Sequence, residues 1–214
     1  TKIIQSIHSP NGYEKVYNNS SLHEFMKFLQ NKQIKDVFRR GKFIILKLNS
    51  GFLLFHLRMT GKLVNEIKNK VDLKYVSLQL NFHDKSKLYF RDTRKFGRAY
   101  ICKNLNWLEN HLGIEPLSQS FNPEWLYSLF KSHNRMVKAL LLDQQFIAGL
   151  GNIYVDEVLW HARIHPKTIS SIISRKKISN LCTAIKATLQ NAIKNNGTTI
   201  IDFSYGNNGK GSFS

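Results

Sequence analysis

The sequence predicts an α+β fold: an antiparallel β-sandwich N-terminal domain followed by a helical domain. Three observations carry that prediction. Up to about Lys103 the apolar residues fall in short alternating or β-branched runs; beyond it their period lengthens to that of an α-helix; and the glycine turn Gly149-Leu150-Gly151-Asn152 separates two of the helical stretches. The implied boundaries are a β-rich domain over 1–103, a linker over 104–118 punctuated by Gly113, Pro116 and Ser118, a helical domain over 119–203 and a flexible loop over 204–214.

One helix interrupts the β-rich half, in which Ser20 or Ser21 can cap a segment carrying Leu22, Phe25, Met26, Phe28 and Leu29 at helical spacing, a stripe suited to packing on a sheet. Strands follow at Phe43-Ile44-Ile45-Leu46, Phe52-Leu53-Leu54-Phe55, Tyr75 to Leu80, Leu88-Tyr89-Phe90 and Arg98-Ala99-Tyr100-Ile101. Turn chemistry at Asn49-Ser50-Gly51 and His83-Asp84-Lys85-Ser86 makes them an antiparallel meander. Helical periodicity then covers Leu105 to Leu112, Trp125 to Phe130, Met136 to Leu142, Ile153 to His161 and Ile178 to Ile193.

With 32 Lys and Arg against 14 Asp and Glu, the formal charge of +18 is the footprint of a polyanion binder. A low-GC codon bias would enrich lysine too, but it would equally raise the acids, which are scarce. Cys102 and Cys182 are far apart and have no Cys or His at ligand spacing, so neither a disulfide framework nor a metal site is indicated. No apolar run is long enough for a membrane span or a signal peptide. The expectation is a cytoplasmic or otherwise intracellular monomer whose partner is nucleic acid, with no membrane and no cofactor held by this chain.

Four stretches carry chemistry. The Gly149 to Asn152 turn should aim N–H groups at an anion: glycines permit φ > 0, and Asn152 is a good N-cap for the following helix. Phe38-Arg39-Arg40-Gly41-Lys42-Phe43 sets three cations around a glycine before a buried strand that would hold Lys42 rigidly. His56-Leu57-Arg58-Met59-Thr60-Gly61 and Asp92-Thr93-Arg94-Lys95-Phe96-Gly97 each end a strand beside a glycine turn. Singly, Met59 and Phe96 read as core residues; with Arg94 they form a candidate wedge of the kind that props open a duplex while a base is extracted.

The run Leu140 to Glu157, with its glycine hairpin between helices, resembles the helix–two-turn–helix of the formamidopyrimidine-DNA glycosylase and endonuclease VIII family. The resemblance continues in order through Arg40-Gly41-Lys42, His56 to Gly61, Asp92 to Gly97, Leu112 to Ser118, Ala162 to Pro166 and Gly197 to Phe203, and so covers essentially the whole chain. The His-Leu-x-Met-Thr-Gly and Asp-x-Arg-Lys-Phe-Gly forms look like the formamidopyrimidine branch. That implies a base-excision repair DNA glycosylase with AP lyase activity on oxidised purines such as 8-oxoguanine and formamidopyrimidine in double-stranded DNA.

Position by position, the resemblance makes Lys42 a lysine that assists catalysis and makes Met59, Arg94 and Phe96 the intercalating triad facing the estranged cytosine. His56, Lys138, Gly149, Gly151 and Asn152 match phosphate contacts, and Thr198 and Thr199 lead into the loop over the everted base. In the family, an N-terminal proline forms a Schiff base at C1′, a glutamate handles protons, and elimination follows. Thr1-Lys2-Ile3-Ile4 matches a strand beyond that proline, and the chain ends before the family's four-cysteine zinc finger. Zinc is therefore expected of a full-length member and not of this chain. The 214 residues read as a fragment that binds damaged DNA without cutting it.

Overall fold

The computed structural model describes residues 2–18, 20–67 and 69–197, which fall into two units, residues up to Leu105 and residues from Asn106 onward. In the first unit, β1 (Ile4–His8), β6 (Val76–Phe82), β7 (Lys87–Asp92) and β5 (Gly61–Val64) form one antiparallel sheet in the order β1-β6-β7-β5. The second sheet, also antiparallel, runs β2 (Ile34–Arg40), β3 (Phe43–Leu48), β4 (Phe52–His56) and β8 (Arg98–Cys102). The two sheets make the expected sandwich. Phe55 and Phe90, one from each, meet edge to face at 5.3 Å with no solvent exposure, an arrangement contributing about 0.5–1.5 kcal/mol beyond the burial itself.

Helix α1 (Leu22–Leu29) starts with a capping box: Ser21 Oγ accepts the Glu24 N–H at 3.2 Å and Glu24 Oε2 accepts the Ser21 N–H at 2.7 Å. Phe25 and Leu29 enter the sandwich core as expected, whereas Met26 stays 43% exposed. Three strands carry little periodic signal. β2 is an edge strand whose seven residues are all at least partly exposed, and its charges are what an unpaired edge requires. β5, four residues long, is an edge of the other sheet, and β1 is paired only through β6.

The second unit contains α3 (Asn106–His111), α4 (Pro123–Lys131), α5 (Val137–Leu142), α6 (Asn152–His161) and the 20-residue α7 (Arg175–Lys194), after the four-residue α2 (Lys70–Leu73) of the first unit. Phe130, Leu140, Leu150, Val158, Leu181 and Ile185 are among its fully buried residues. The stretch expected as a linker over 104–118 does more than connect. It holds α3, and Gly113 and Ile114 donate to the carbonyls of Gln144 and Phe146 at 2.8 and 2.9 Å while Ile114 accepts from Ala148 at 3.0 Å. No described helix is long and apolar enough to cross a membrane.

Candidate functional site

In the first unit, sheet register brings several cations together. Phe43 pairs with His56 and His56 with Arg98, so the ends of β3, β4 and β8 lie side by side. Lys42 lies immediately before β3, as the sequence suggested. It sits on the two-residue turn between Arg40 and Phe43, whose first residue, Gly41, has φ +55°, a conformation that costs a Cβ-bearing residue dearly. The turn is braced by the Arg39 guanidinium donating to Gly41 O at 2.8 Å. Although Lys42 as a residue is exposed, crowding around its ammonium is the larger cause that lowers its pKa, and the Arg58 guanidinium is the second.

His56 is held more firmly. Its ring stands edge-on to Phe43 at 4.8 Å, and its Nδ1 lies 3.2 Å from the Arg58 backbone N–H. A backbone N–H only donates, so Nδ1 accepts and the neutral ring carries its proton on Nε2. Burial first, then Arg58 and Lys42, push the His56 pKa down to about 4. His56 therefore offers an anion a neutral N–H donor. Arg58 also bonds to the phenol of Tyr100, whose pKa is raised mainly by burial.

Met59 and Phe96 are not core residues: they are 66% and 47% exposed. Each directly follows a non-glycine residue in the left-handed region, Arg58 at φ +55° and Lys95 at φ +57°. Such backbone costs on the order of 1–3 kcal/mol and persists only where its surroundings enforce it. The enforcement is a buried carboxylate. Asp92, 1% exposed, takes the Thr60 hydroxyl and the Arg94 N–H (3.2 Å) on Oδ1 and the Gly97 N–H (2.6 Å) on Oδ2. The Arg94 N–H is shared with Thr60 Oγ1, also at 3.2 Å. One clasp thus fixes both the Met59 turn and the Arg94 to Phe96 loop, and the Arg94 guanidinium lies 5.0 Å from the Phe96 ring centre.

In the second unit the Gly149 to Asn152 hairpin departs from the sequence reading in two ways. Gly149 does have φ +94°, but its N–H is not free; it donates to Gln144 Oε1 at 2.9 Å. The Gln144 amide nitrogen in turn donates to Leu142 O at 2.8 Å and Leu150 O at 3.0 Å, so one side chain shapes the turn from inside. Asn152 is not the N-cap. Gly151 is, in ordinary extended backbone and with no side-chain cap bond, and Asn152 is the first residue of α6. The first intrahelical bond runs from Val155 N–H to Gly151 O at 2.9 Å, so helix geometry leaves the Asn152 and Ile153 N–H groups without an intrahelical acceptor. The exposed Asn152 side chain is then available beside them. Lys138, in the first turn of α5, is engaged by Asp156 of α6, whose two oxygens lie 2.7 and 2.9 Å from Nζ.

The sequence therefore missed Asp92 with Thr60, Gln144, Asp156 and Arg58 as organisers. A signal existed for Asp92 alone: it occupies the inward register of β7 two residues after buried Phe90, where an acid needs partners. Thr198 and Thr199 and the loop over 204–214 lie outside the described residues. Among the described residues no three His, Cys, Asp or Glu group into a metal site. Cys102 on β8 and Cys182 on α7 are free thiols in different units.

Comparison with known proteins gives the arrangement a family. The formamidopyrimidine-DNA glycosylase N-terminal domain matches residues 2–99 and the formamidopyrimidine-DNA glycosylase H2TH domain matches residues 112–204. The formamidopyrimidine-DNA glycosylase of Protochlamydia amoebophila is 44% identical over 177 residues, covering 82% of this chain and 64% of that protein. That of Pelotomaculum thermopropionicum is 39% identical over 204 residues, covering 93% and 74%. The chain thus spans about two thirds to three quarters of the length of these relatives.

Among solved structures, a Lactococcus lactis Fpg mutant in complex with DNA containing Fapy-dG matches with a TM-score of 0.88 at 31% identity, over 99% of this chain and 78% of that one. The MutM (Fpg) protein of Thermus thermophilus matches at 0.85 and 29%, over 99% and 77%. With 44% and 39% identity to these two glycosylases, and with each unit matched by its own domain model, this chain belongs to the formamidopyrimidine-DNA glycosylase family.

Proposed function

We propose that the chain is the DNA-gripping and duplex-opening part of a base-excision repair glycosylase that removes oxidised purines, 8-oxoguanine and formamidopyrimidine, from double-stranded DNA. One observation carries the reading: two exposed apolar side chains and a guanidinium, Met59, Phe96 and Arg94, stand on strained backbone locked by one buried carboxylate. Unstacking a base step costs a few kcal/mol, and a rigid wedge meets that cost better than a floppy one. Met59 and Phe96 would fill the space left by the everted nucleotide, and Arg94 would donate to the orphaned base opposite.

Backbone phosphates would be taken by groups of three kinds. Lys42 and Lys138 supply charge, His56 a neutral Nε2–H, and the Asn152 side chain with the Asn152 and Ile153 N–H groups the positive end of α6. A lowered pKa also makes the Lys42 ammonium a readier proton donor to a departing base. Thr198 and Thr199 would lead into the lesion-covering loop. The solved relatives bound to Fapy-dG DNA and to AP-site DNA support the substrate class.

AP lyase activity belongs to the same reading at the level of the whole enzyme. Attack of a secondary amine at C1′ expels the base and leaves an iminium ion, from which the 3′ and then the 5′ phosphate are eliminated. The proline and glutamate that serve this step in the family are not among these 214 residues, so the chain by itself should bind without cutting.

Two measurements test the proposal. Contact with some 6–10 phosphates would lower duplex affinity about 10³–10⁵-fold between 50 and 200 mM salt, and a nearly flat salt response would remove the phosphate grip. Borohydride trapping on 8-oxoguanine duplex should give no adduct with the 214-residue chain; a covalent adduct would overturn the non-cutting reading. Equal affinity for lesion duplex, intact duplex and structured RNA would point to an RNA-binding role instead.

A further inference from the structure

Lys138 is a proposed phosphate ligand that already has an anion. Asp156, one turn into α6, presents both carboxylate oxygens to its ammonium at 2.7 and 2.9 Å. Neither partner is deeply buried: their side chains are 33% and 55% exposed. The backbone fixes the meeting, because the Lys138 N–H donates to Pro166 O at 3.2 Å in the first turn of α5 while Asp156 lies one helical turn beyond Asn152, on the helix whose N–H groups end the Gly149 to Asn152 hairpin. There is no acid in the first turn of α6. Asp156 is thus the carboxylate on this helix placed to compete with a phosphate for the lysine.

We infer that Asp156 is a built-in competitor for the DNA backbone, setting how strongly the second unit holds duplex of any sequence. The inference rests on the proposed DNA binding and deepens it. An exposed ion pair opens at little cost, so a phosphate can take Lys138 from Asp156. Asp156 then stands unpaired beside the new phosphate and takes up a cation from solution. Salt release at that phosphate is therefore offset, and the Lys138–Asp156 pair adds affinity only to the extent that the phosphate out-competes the carboxylate. An enzyme that must move along undamaged DNA gains from such attenuation, since the sequence-independent term is what holds it at non-target sites.

The competing possibility is that Asp156 holds Lys138 in place for the phosphate, and the two readings differ in sign. The test is the salt dependence of binding to undamaged duplex, by fluorescence anisotropy, for the wild-type chain, Asp156→Asn, Lys138→Met and the double variant. Release of the lysine should raise affinity about 1.5- to 5-fold, the equivalent of breaking an exposed ion pair. It should also steepen the slope of log K against log salt by about 0.9, one phosphate's worth. Lys138→Met should flatten the slope by a similar amount, and the double variant should return to the wild-type slope.

Asp84→Asn is the control for net charge alone, because Asp84 is an equally exposed carboxylate paired with Lys2 in the other unit, and it should leave the slope unchanged. Weaker binding by Asp156→Asn, an unchanged slope, or the same gain from Asp84→Asn overturns the inference while leaving the DNA-binding proposal intact. A wild-type chain with no steep salt response overturns both. A circular dichroism spectrum matching wild type for each variant confirms that folded proteins are compared.

Discussion

Removal of the Asp92 carboxylate should be among the most damaging single changes in the first unit, and its cost can be worked from three bonds. Asp92→Ala strips the buried Gly97 N–H of its 2.6 Å acceptor and the Thr60 hydroxyl, 6% exposed, of its carboxylate. The Arg94 N–H keeps Thr60 Oγ1 at 3.2 Å. Two orphaned buried donors cost about 1–3 kcal/mol each, and relief from burying a charge returns part of that, so a net loss of about 2–5 kcal/mol is expected. Thr60→Val keeps the shape and both backbone donors to Asp92, losing one charge-assisted bond for about 1–2 kcal/mol.

Urea unfolding followed by far-ultraviolet circular dichroism measures both, with hydrogen exchange at the Arg94 and Gly97 amides reporting the loop itself. The order Asp92→Ala, then Thr60→Val, then wild type should hold for stability and for amide protection. An Asp92→Ala variant within about 0.5 kcal/mol of wild type, or one no worse than Thr60→Val, would show that the carboxylate does not clasp the two loops.

Other consequences follow from the same geometry. Arg94→Ala should reduce discrimination of the base opposite a lesion, by about 1–3 kcal/mol for a lost bidentate contact, while leaving affinity for undamaged duplex nearly unchanged; equal losses on both duplexes in a binding assay would reassign it to the backbone. Asn152→Ala should weaken damaged and undamaged duplex alike, by about 0.5–1.5 kcal/mol for a lost hydrogen bond, and a selective loss on lesion DNA would contradict the phosphate role.

For His56, the folded pKa of about 4 lies below its ordinary 6.5. Between those values the unfolded chain binds a proton that the folded chain refuses, so its contribution to stability is complete above pH 6.5 and fades as pH falls toward 4. His56→Gln should therefore flatten the acid side of a urea-midpoint profile, and long-range nitrogen NMR should show a ring protonated on Nε2 alone at pH 6. A doubly protonated ring at that pH would remove the neutral-donor assignment.

Much of the fold was readable because its signals are local. The capping box at Ser21, the inward alternation of β6 and the helical stripe of α7 each depend on residues a few positions apart, and burial of one face imposes that spacing whatever the partner. β2 escaped because an edge strand has no face to bury and carries Lys, Asp and Arg instead. The site divided in the same manner. Met59, Arg94, Phe96, Lys42 and the glycine hairpin were visible as motifs, since their types and spacing resemble a family pattern.

What the sequence determined by itself was the α+β division, the basic charge and the identity of the exposed candidate side chains. Tertiary structure decided how they are held and in what state. Asp92 meets Thr60 only because β5 pairs with β7. His56 is neutral because β3 and β4 place Phe43, Lys42 and Arg58 around it, and Lys138 carries a counter-charge because the hairpin returns α6 to α5. Periodicity reports which face of an element is apolar, whereas a hydrogen bond or ion pair depends on a few ångströms between residues far apart in the chain. That distance is set by the packing of the whole unit.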